Sequence, residues 1–413
     1  MRWVIARRRW PEIRLAVSGT IGRFYLFVAL VQFLLWLPIW VIFFQGRGLS
    51  LTQIGVLDAV GWIFMALSEI PTGALADRYG RKVSFIFGAL LVAASMFAIL
   101  TDVFSPIFLI GWMLWGVAHT FFGGADSAFL YDTLKARGRA ADYPRFAGWH
   151  LAVMQISQGL GSLLGGWVAT FDMTLCFVIP GLLGLVAAIV AATLPEPIQS
   201  DLASRKVSYW AGIAEATRIA SGQPVVRYLV LIGAATLVLP FLLVFMLLQP
   251  YATGIGIPVW ALGIIVLFRG AGAVTGSLLG SRSLALFGSR RVLVGTQGAI
   301  VLGMGILAAV PIPPIVLVFT FISFASGLVR PVLSTLLNAE IPSEQRATIL
   351  SLQALLWTVF LAGVEPALFA LAERISLPTT IGVAAAALAV VAAVLLTLWH
   401  RAAAGARLVR AAS

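Results

Sequence analysis

The feature that most constrains this chain is its succession of long apolar stretches, separated by short breaks of proline, glycine or charge. The hydrocarbon core of a bilayer asks for about 20 apolar residues per helix. Twelve stretches meet that length, near 23–45, 51–76, 82–101, 106–134, 146–170, 174–194, 226–250, 258–281, 291–310, 314–338, 347–372 and 377–400. Of the 413 residues, 61% are hydrophobic and 11% are charged, against roughly 45–50% and about 25% in soluble domains. The mean hydropathy is +1.01. A water-soluble globule cannot bury so much apolar surface, so the composition excludes a soluble enzyme, a disordered chain and a DNA-binding protein. The expected fold class is an all-α membrane protein with twelve transmembrane helices.

Charge then sets the orientation. With the N-terminus inside, 24 Lys and Arg residues fall in cytoplasmic segments and two, Arg47 and Arg374, fall outside. That bias follows the positive-inside rule and places both termini in the cytoplasm. It also accounts for the net charge of +12 without a nucleic-acid partner. The arginines before Phe24 mimic a secretion signal, but the run from Phe24 to Phe44 is too long for a signal core and reads as an uncleaved first span. The single cysteine, Cys176, allows neither an intrachain disulfide nor a thiolate metal cage. Two six-span bundles follow, over 23–194 and 226–400, with a basic N-terminal segment 1–22, a cytoplasmic central loop 195–225 and a basic tail 401–413.

Six plus six suggests an internal duplication. Gly73 and Gly276 are 203 residues apart, and so are Gly124 and Gly327. The stretch from Gly73 through Asp77, Arg78, Gly80 and Arg81 to Lys82 follows the second span, and a degenerate copy follows the eighth, with Gly280 where Asp77 would fall. Gly73 is expected to let two helices approach closely. Gly80 is suited to a tight turn with positive φ. Arg78, Arg81 and Lys82 would sit at the anionic leaflet, and Asp77 can accept from a helix N-terminus or an arginine.

These residues resemble the loop between helices two and three of the major facilitator superfamily. Glu69-Ile70-Pro71-Thr72 just upstream resembles a bacterial subgroup, and Leu194-Pro195-Glu196-Pro197 and Asn338 to Thr348 are similar to further family segments. The resemblance spans the whole chain. It implies two pseudo-symmetric bundles that alternate access to a midplane site, with the Asp77 loop as a conformational latch. It also implies that the fourth span lines the cavity and that the second packs against the eleventh.

Ionisable groups within spans are functional candidates by default. Asp126 follows Gly123 and Gly124 on the fourth span, with His119 seven residues earlier and about two turns up the same face. Asp126 reads either as the carrier of a coupling proton or as half of a structural ion pair, and His119 as its neighbour or a satisfied core histidine. Asp132 reads as a clamp for the following turn, near Arg145 and His150. Asp58 and Glu365 each lie seven residues inside the outer end of their spans and would meet at one depth. Each could instead face its own polar partner. Arg269 reads as a cavity residue and Arg330, before Pro331, as a structural one that satisfies carbonyls freed by a kink. Gly159, Gly161, Gly165 and Gly166 of the fifth span permit close packing and sliding, but the proline usual in exporters of the family is missing between Gln155 and Trp167.

No ATP-binding loop, metal motif or nucleophile elbow occurs, so no enzyme, cofactor or metal is expected. The expected function is a secondary transporter in a bacterial inner membrane, monomeric, with protons, a small molecule and the lipid bilayer as partners. Sparse charge and the aromatics Phe33, Trp36, Trp112, Trp115, Phe241, Phe245, Phe319 and Phe321 favour proton-coupled efflux of an amphipathic or apolar compound. Proton symport of a small metabolite and a non-transporting sensor with the same fold are the alternatives.

Overall fold

The computed structural model describes residues 19–196 and 209–412 and is helical, with no strand among them. Most of the basic segment 1–22 and part of the central loop therefore lie outside the described residues. The helices are α1 (Gly19–Val31), α2 (Trp40–Gly46), α3 (Leu51–Tyr79), α4 (Arg81–Ala98), α5 (Pro106–Thr120), α6 (Ala125–Lys135), α7 (Tyr143–Val168) and α8 (Leu175–Ala192). They continue as α9 (Tyr209–Gly222), α10 (Pro224–Ala235), α11 (Val238–Leu242), α12 (Leu248–Gly254), α13 (Val259–Ala309), α14 (Leu317–Glu340), α15 (Ser343–Arg374) and α16 (Leu377–Ala412). Among the described residues nine helical stretches are long and apolar enough to cross a membrane. The 51-residue α13 contains two of the expected spans, because Gly288 breaks it at φ 75° and ψ 161°.

Gly80, between α3 and α4, has φ 93° and ψ 163°. The two glycines thus hold the same left-handed, extended turn after the second and the eighth span, 208 residues apart against 203 for the other pairs, a conformation that costs other residues steric strain. This likeness of backbone supports the duplication independently of residue identity.

Contacts divide the chain into two compact units, described residues 19–40 and 60–196 in the first and 41–59 and 209–412 in the second. Residues 41–59 thus pack with the second unit although they lie in the first half of the sequence.

In the first unit, two expected spans are not continuous. The first breaks at residues 32–39 between α1 and α2, where Pro38 offers no amide hydrogen. The fourth breaks at 121–124, where Gly124 takes φ 73° and starts α6. The irregular part of the first span rests on α7. The Gln158 side chain donates to the Gln32 side chain at 2.8 Å. A Cβ on Gly161 would stand 2.7 Å from the Leu34 amide nitrogen, and one on Gly165 would overlap the Leu35 carbonyl oxygen. The glycines of the fifth span therefore seat the broken first span within its own unit, the close packing expected of Gly161 and Gly165.

In the second unit, α13 and α14 pack along a glycine face. A Cβ on Gly276 would overlap the Phe324 carbonyl oxygen, and one on Gly327 the Ala273 carbonyl oxygen. Gly73, the counterpart of Gly276, has nothing within 4 Å of its Cβ position, so the close approach expected there is not made. The seventh span is also interrupted. Residues 236–237 separate α10 from α11, and a π-helical turn over Leu243–Leu247 precedes α12. The Thr236 hydroxyl accepts from buried Gln297 at 2.9 Å beside the first interruption.

Two glycines on α7 give a matched test. Gly148 has nothing within 4 Å of its Cβ position, whereas Gly165 has the Leu35 backbone in it. Gly148→Ala is expected to hold or raise thermal stability, by up to about 1 kcal/mol from helix propensity. Gly165→Ala is expected to cost about 1–3 kcal/mol from overpacking. Thermal unfolding of the detergent-solubilised chain separates the two; equal effects would refute the packing of α7 on residues 32–39.

Candidate functional site

In the first unit the break at 121–124 puts Asp126 in the first turn of α6, where the free amides of a helix N-terminus favour negative charge. Its Oδ2 lies 3.4 Å from His150 Nε2 on α7, a long ion-pair distance. Asp126 Oδ1 is buried without a hydrogen-bond partner among the described residues. His119 does not share a face with Asp126, because the helical ladder is broken between them. Its Nδ1 lies 2.9 Å from the Trp115 carbonyl oxygen, and its ring packs 4.6 Å from the Trp115 ring. His119 is thus a satisfied histidine within an aromatic cluster, and His150 is the histidine that reaches Asp126.

That cluster forms a continuous wall. Trp36 meets Trp112 at 6.2 Å and Trp115 at 5.2 Å, both edge to face. Trp40 stacks on Trp112 at 4.9 Å, and His119 meets Phe122 at 5.9 Å. The Phe122 carbonyl oxygen in turn accepts from the Asp126 amide at 3.1 Å. Aromatics at the end of the first span and along the fourth therefore run up to the acid. The Trp115 indole nitrogen is buried and has no partner among the described residues.

Asp132, expected beside Arg145 and His150, pairs with Arg81 at the start of α4. Arg81 also takes part in a second contact of opposite charge: its amide and that of Lys82 donate to the Glu196 carboxylate at 2.7 and 2.9 Å. Glu196 thereby caps the N-terminus of α4. Gly80 is required there for space as well as for φ, since a Cβ would stand 2.6 Å from the Glu196 carboxyl carbon. Arg78 lies over the Tyr79 ring at 5.4 Å. The Asp77 side chain lies outside what the structure describes.

In the second copy of this loop Gly280 stands where Asp77 would fall. A Cβ on Gly280 would overlap Pro331 of α14. Counting 203 back from Pro331 gives Ala128, so the first copy has no ring at the matching position.

In the second unit Arg269 of α13 is 8% exposed. Its guanidinium stands 3.8 Å from the centre of the Phe245 ring, within the π-helical turn. Its Nε has no hydrogen-bond partner among the described residues. Phe245 continues to Phe241 at 4.5 Å, and Phe241 to Trp357 at 5.1 Å. Arg330 is exposed on α14, and among the described residues no hydrogen bond ties it to the carbonyls around Pro331, contrary to expectation. The Thr335 hydroxyl donates to the Pro331 carbonyl oxygen at 2.8 Å.

Asp58 of α3 and Glu365 of α15, expected to lie at one depth, are 4% and 0% exposed, and their helices touch beside them: a Cβ added at Gly55, three residues before Asp58, would stand 3.4 Å from the Glu365 carbonyl oxygen. Sequence reading missed Glu196 as a cap, His150 as the partner of Asp126, and Glu373, which accepts from the Thr52 amide at 3.1 Å and from its hydroxyl. The Gly123-Gly124 doublet was the available signal for the break that turns Asp126 towards His150. No group of three or more metal-ligating side chains stands together among the described residues.

With this geometry in place, residues 22–364 match the sequence profile of the Major Facilitator Superfamily. The chain belongs to that superfamily. It is 31% identical over 172 residues to Multidrug resistance protein 2 of Bacillus subtilis (strain 168), covering 40% of each chain. It is 30% identical over 204 residues to Multidrug resistance protein MdtH of Enterobacter sp. (strain 638), covering 44% of this chain and 46% of that one. The matches thus span between 23% and 46% of the curated relatives' own length. Among solved structures, the crystal structure of nucleoside transporter NupG aligns with a TM-score of 0.73 at 15% identity, over 91% of this chain and 98% of that one. That likeness shows the superfamily fold. The chain is accordingly a multi-pass membrane protein of a transporter superfamily, not a member of an enzyme family.

The cap on α4 is directly testable. Glu196→Ala is expected to lower stability by about 1 kcal/mol, the cost of an emptied helix cap. Glu196→Gln, which keeps an acceptor, should recover part of it. Thermal unfolding of the purified chain reads both, and an unchanged midpoint in Glu196→Ala would remove the capping role.

Proposed function

We propose that this chain is a proton-coupled secondary transporter that exports a small amphipathic or apolar compound from the cytoplasm. It works as a monomer in the inner membrane with both termini inside. One observation carries the reading: a buried carboxyl, Asp126, set at the start of a half-helix, facing His150 at 3.4 Å and joined through Phe122 to a tryptophan wall. Interrupted spans are where transporters of this kind assemble their ion and substrate sites. Asp126 supplies the proton-binding oxygen, and His150 supplies the neighbouring base that receives or returns the proton. The aromatic wall supplies broad, weakly directional contact suited to flat apolar bodies.

The export direction is supported by the multidrug-resistance relatives and by the shortage of charge on the wall. Arg81, Asp132 and Glu196 hold the loop after the second span, and the adjoining Asp77 segment is the latch that the resemblance implies. Arg269, unpaired by any carboxylate among the described residues, favours a second reading in which the substrate carries an anionic group and enters by proton symport. Nucleic acid has no part in either reading.

Inside-out vesicles with an acidified lumen and a pH-quenched dye discriminate between these readings. Lipophilic cations and neutral aromatic compounds should release quenching, and Asp126→Asn should reduce that release by about tenfold or more, since proton transfer by a positioned group contributes about 10²–10⁴. Release unchanged in Asp126→Asn would refute the proton role. No release by any compound, together with proton entry into right-side-out vesicles on addition of carboxylate-bearing compounds that is lost in Arg269→Gln, would install the second reading.

A further inference from the structure

A strip of the second unit joins α3 to α15 in three antiparallel rungs. At one end Thr52 donates from its amide and its hydroxyl to Glu373 Oε2. In the middle Gly55 lies against α15, where an added Cβ would stand 3.0 Å from Phe369 Cβ. At the buried end Asp58 and Glu365 come next on these two faces, both buried, with the Glu365 carbonyl oxygen 3.4 Å from a Cβ added at Gly55. The spacing of three residues on α3 and four on α15 keeps all three rungs on one face of each helix.

The buried rung is chemically unlike the others. A carboxylate oxygen only accepts, so two ionised carboxyls cannot bond; one proton placed between them turns the contact into an O–H···O⁻ hydrogen bond. Neither oxygen of Glu365 accepts from an amide, hydroxyl or cation among the described residues. Asp58 is the ionisable group that acts on it. The helices packed on α15 include α9, α10 and α16. They carry Glu215 and Arg218, Arg227, and His400 and Arg401, and none of these acts on Glu365. On α15 itself Glu373 is engaged by Thr52 and Arg346 donates to the Asn338 carbonyl oxygen.

We propose that Asp58 and Glu365 form a second proton-binding site, distinct from Asp126, which holds one shared proton and whose occupancy clamps the Leu51–Ala59 end of α3 to α15. With the proton bound, the rung is a strong hydrogen bond. With the proton gone, two buried negative charges repel at the same place, against the Thr52–Glu373 rung, the Phe369 contact and the burial of Leu51, Ile54 and Leu57. The strip is therefore closed at low pH and opens as pH rises through the release of that proton. This inference does not rest on the direction of transport or on the role of Asp126.

The test uses the full chain in lipid vesicles without substrate or gradient. Infrared spectra should show a protonated carboxyl band at neutral pH that disappears in Glu365→Gln and in Asp58→Asn and survives in Asp126→Asn. A thiol at Ile54, which is fully buried, reports on the strip when Ile54→Cys is placed in a Cys176→Ala background. Its labelling by a maleimide should accelerate by about tenfold per pH unit across the proton release, as for a single titrating group. In Glu365→Gln the amide donates permanently to Asp58, so labelling should stay slow at every pH. If that variant does not fold, Asp58→Asn serves the same purpose by the mirror-image bond. Absence of the band in the parent chain, or a pH response unchanged by either amide, would overturn the proposal. A response lost in Asp126→Asn and kept in Glu365→Gln would overturn it too, while leaving the proton role of Asp126 intact.

Discussion

Within a hydrocarbon slab a backbone amide that leaves its helical ladder finds no water, so irregular backbone persists only where protein supplies the missing partners. That constraint organises this chain. The break at residues 32–39 is held by Gln158 and by the glycine surface of α7. The amide of Val41, just after it, donates to the buried side chain of Gln249 at 2.8 Å. The interruption at residues 236–237 is met by Gln297. Two of the breaks are accompanied by an amide side chain, Gln158 at the first and buried Gln297 at the other, and ionisable groups stand beside breaks. Asp126 stands in the first turn after one, and Arg269 lies over the π-helical turn of another.

The two copies of the loop after the second and eighth spans share a turn and differ in what fills the space around it. Gly80 and Gly288 keep one backbone conformation. Around Gly80 the space is filled by the Glu196 carboxylate, which also binds the amides of Arg81 and Lys82. At Gly280 the space is filled by the Pro331 ring, and no acidic side chain fits. A turn can therefore be preserved after its electrostatic partners are gone, because what keeps the glycine is φ and what keeps the acid is room.

Much of this was legible in sequence, and the part that was not has a common cause. Apolar run length and the Lys and Arg bias give helices and their order, since those depend on local composition. The shared depth of Asp58 and Glu365 could be counted from the ends of their spans, and the contact follows from helical rise alone. The placement of His119 failed because counting along a face presumes an unbroken helix, and the ladder breaks at 121–124. Arg81 as a partner of Asp132 was missed for a related reason: it is distant in sequence and approaches from another helix. Glu196 was visible as part of a motif without a role, because a cap is defined by the helix it ends against and not by its own neighbours.

The two buried acids differ in what a proton does to them. Asp126 faces an imidazole. Such a pair can pass a proton between its members while remaining attractive or neutral, which suits a group that must load and unload repeatedly. Asp58 faces another acid. There the loss of one proton changes the sign of the contact, from a charge-assisted hydrogen bond to repulsion between like charges in a medium that screens them poorly. An acid beside a base is a carrier, whereas an acid beside an acid is a switch. The rungs that flank the switch lack that reversal, since a hydroxyl on a carboxylate and a glycine against phenylalanine keep their sign at any physiological pH. The strip between α3 and α15 is therefore built so that one titratable contact decides whether two constant ones are enough.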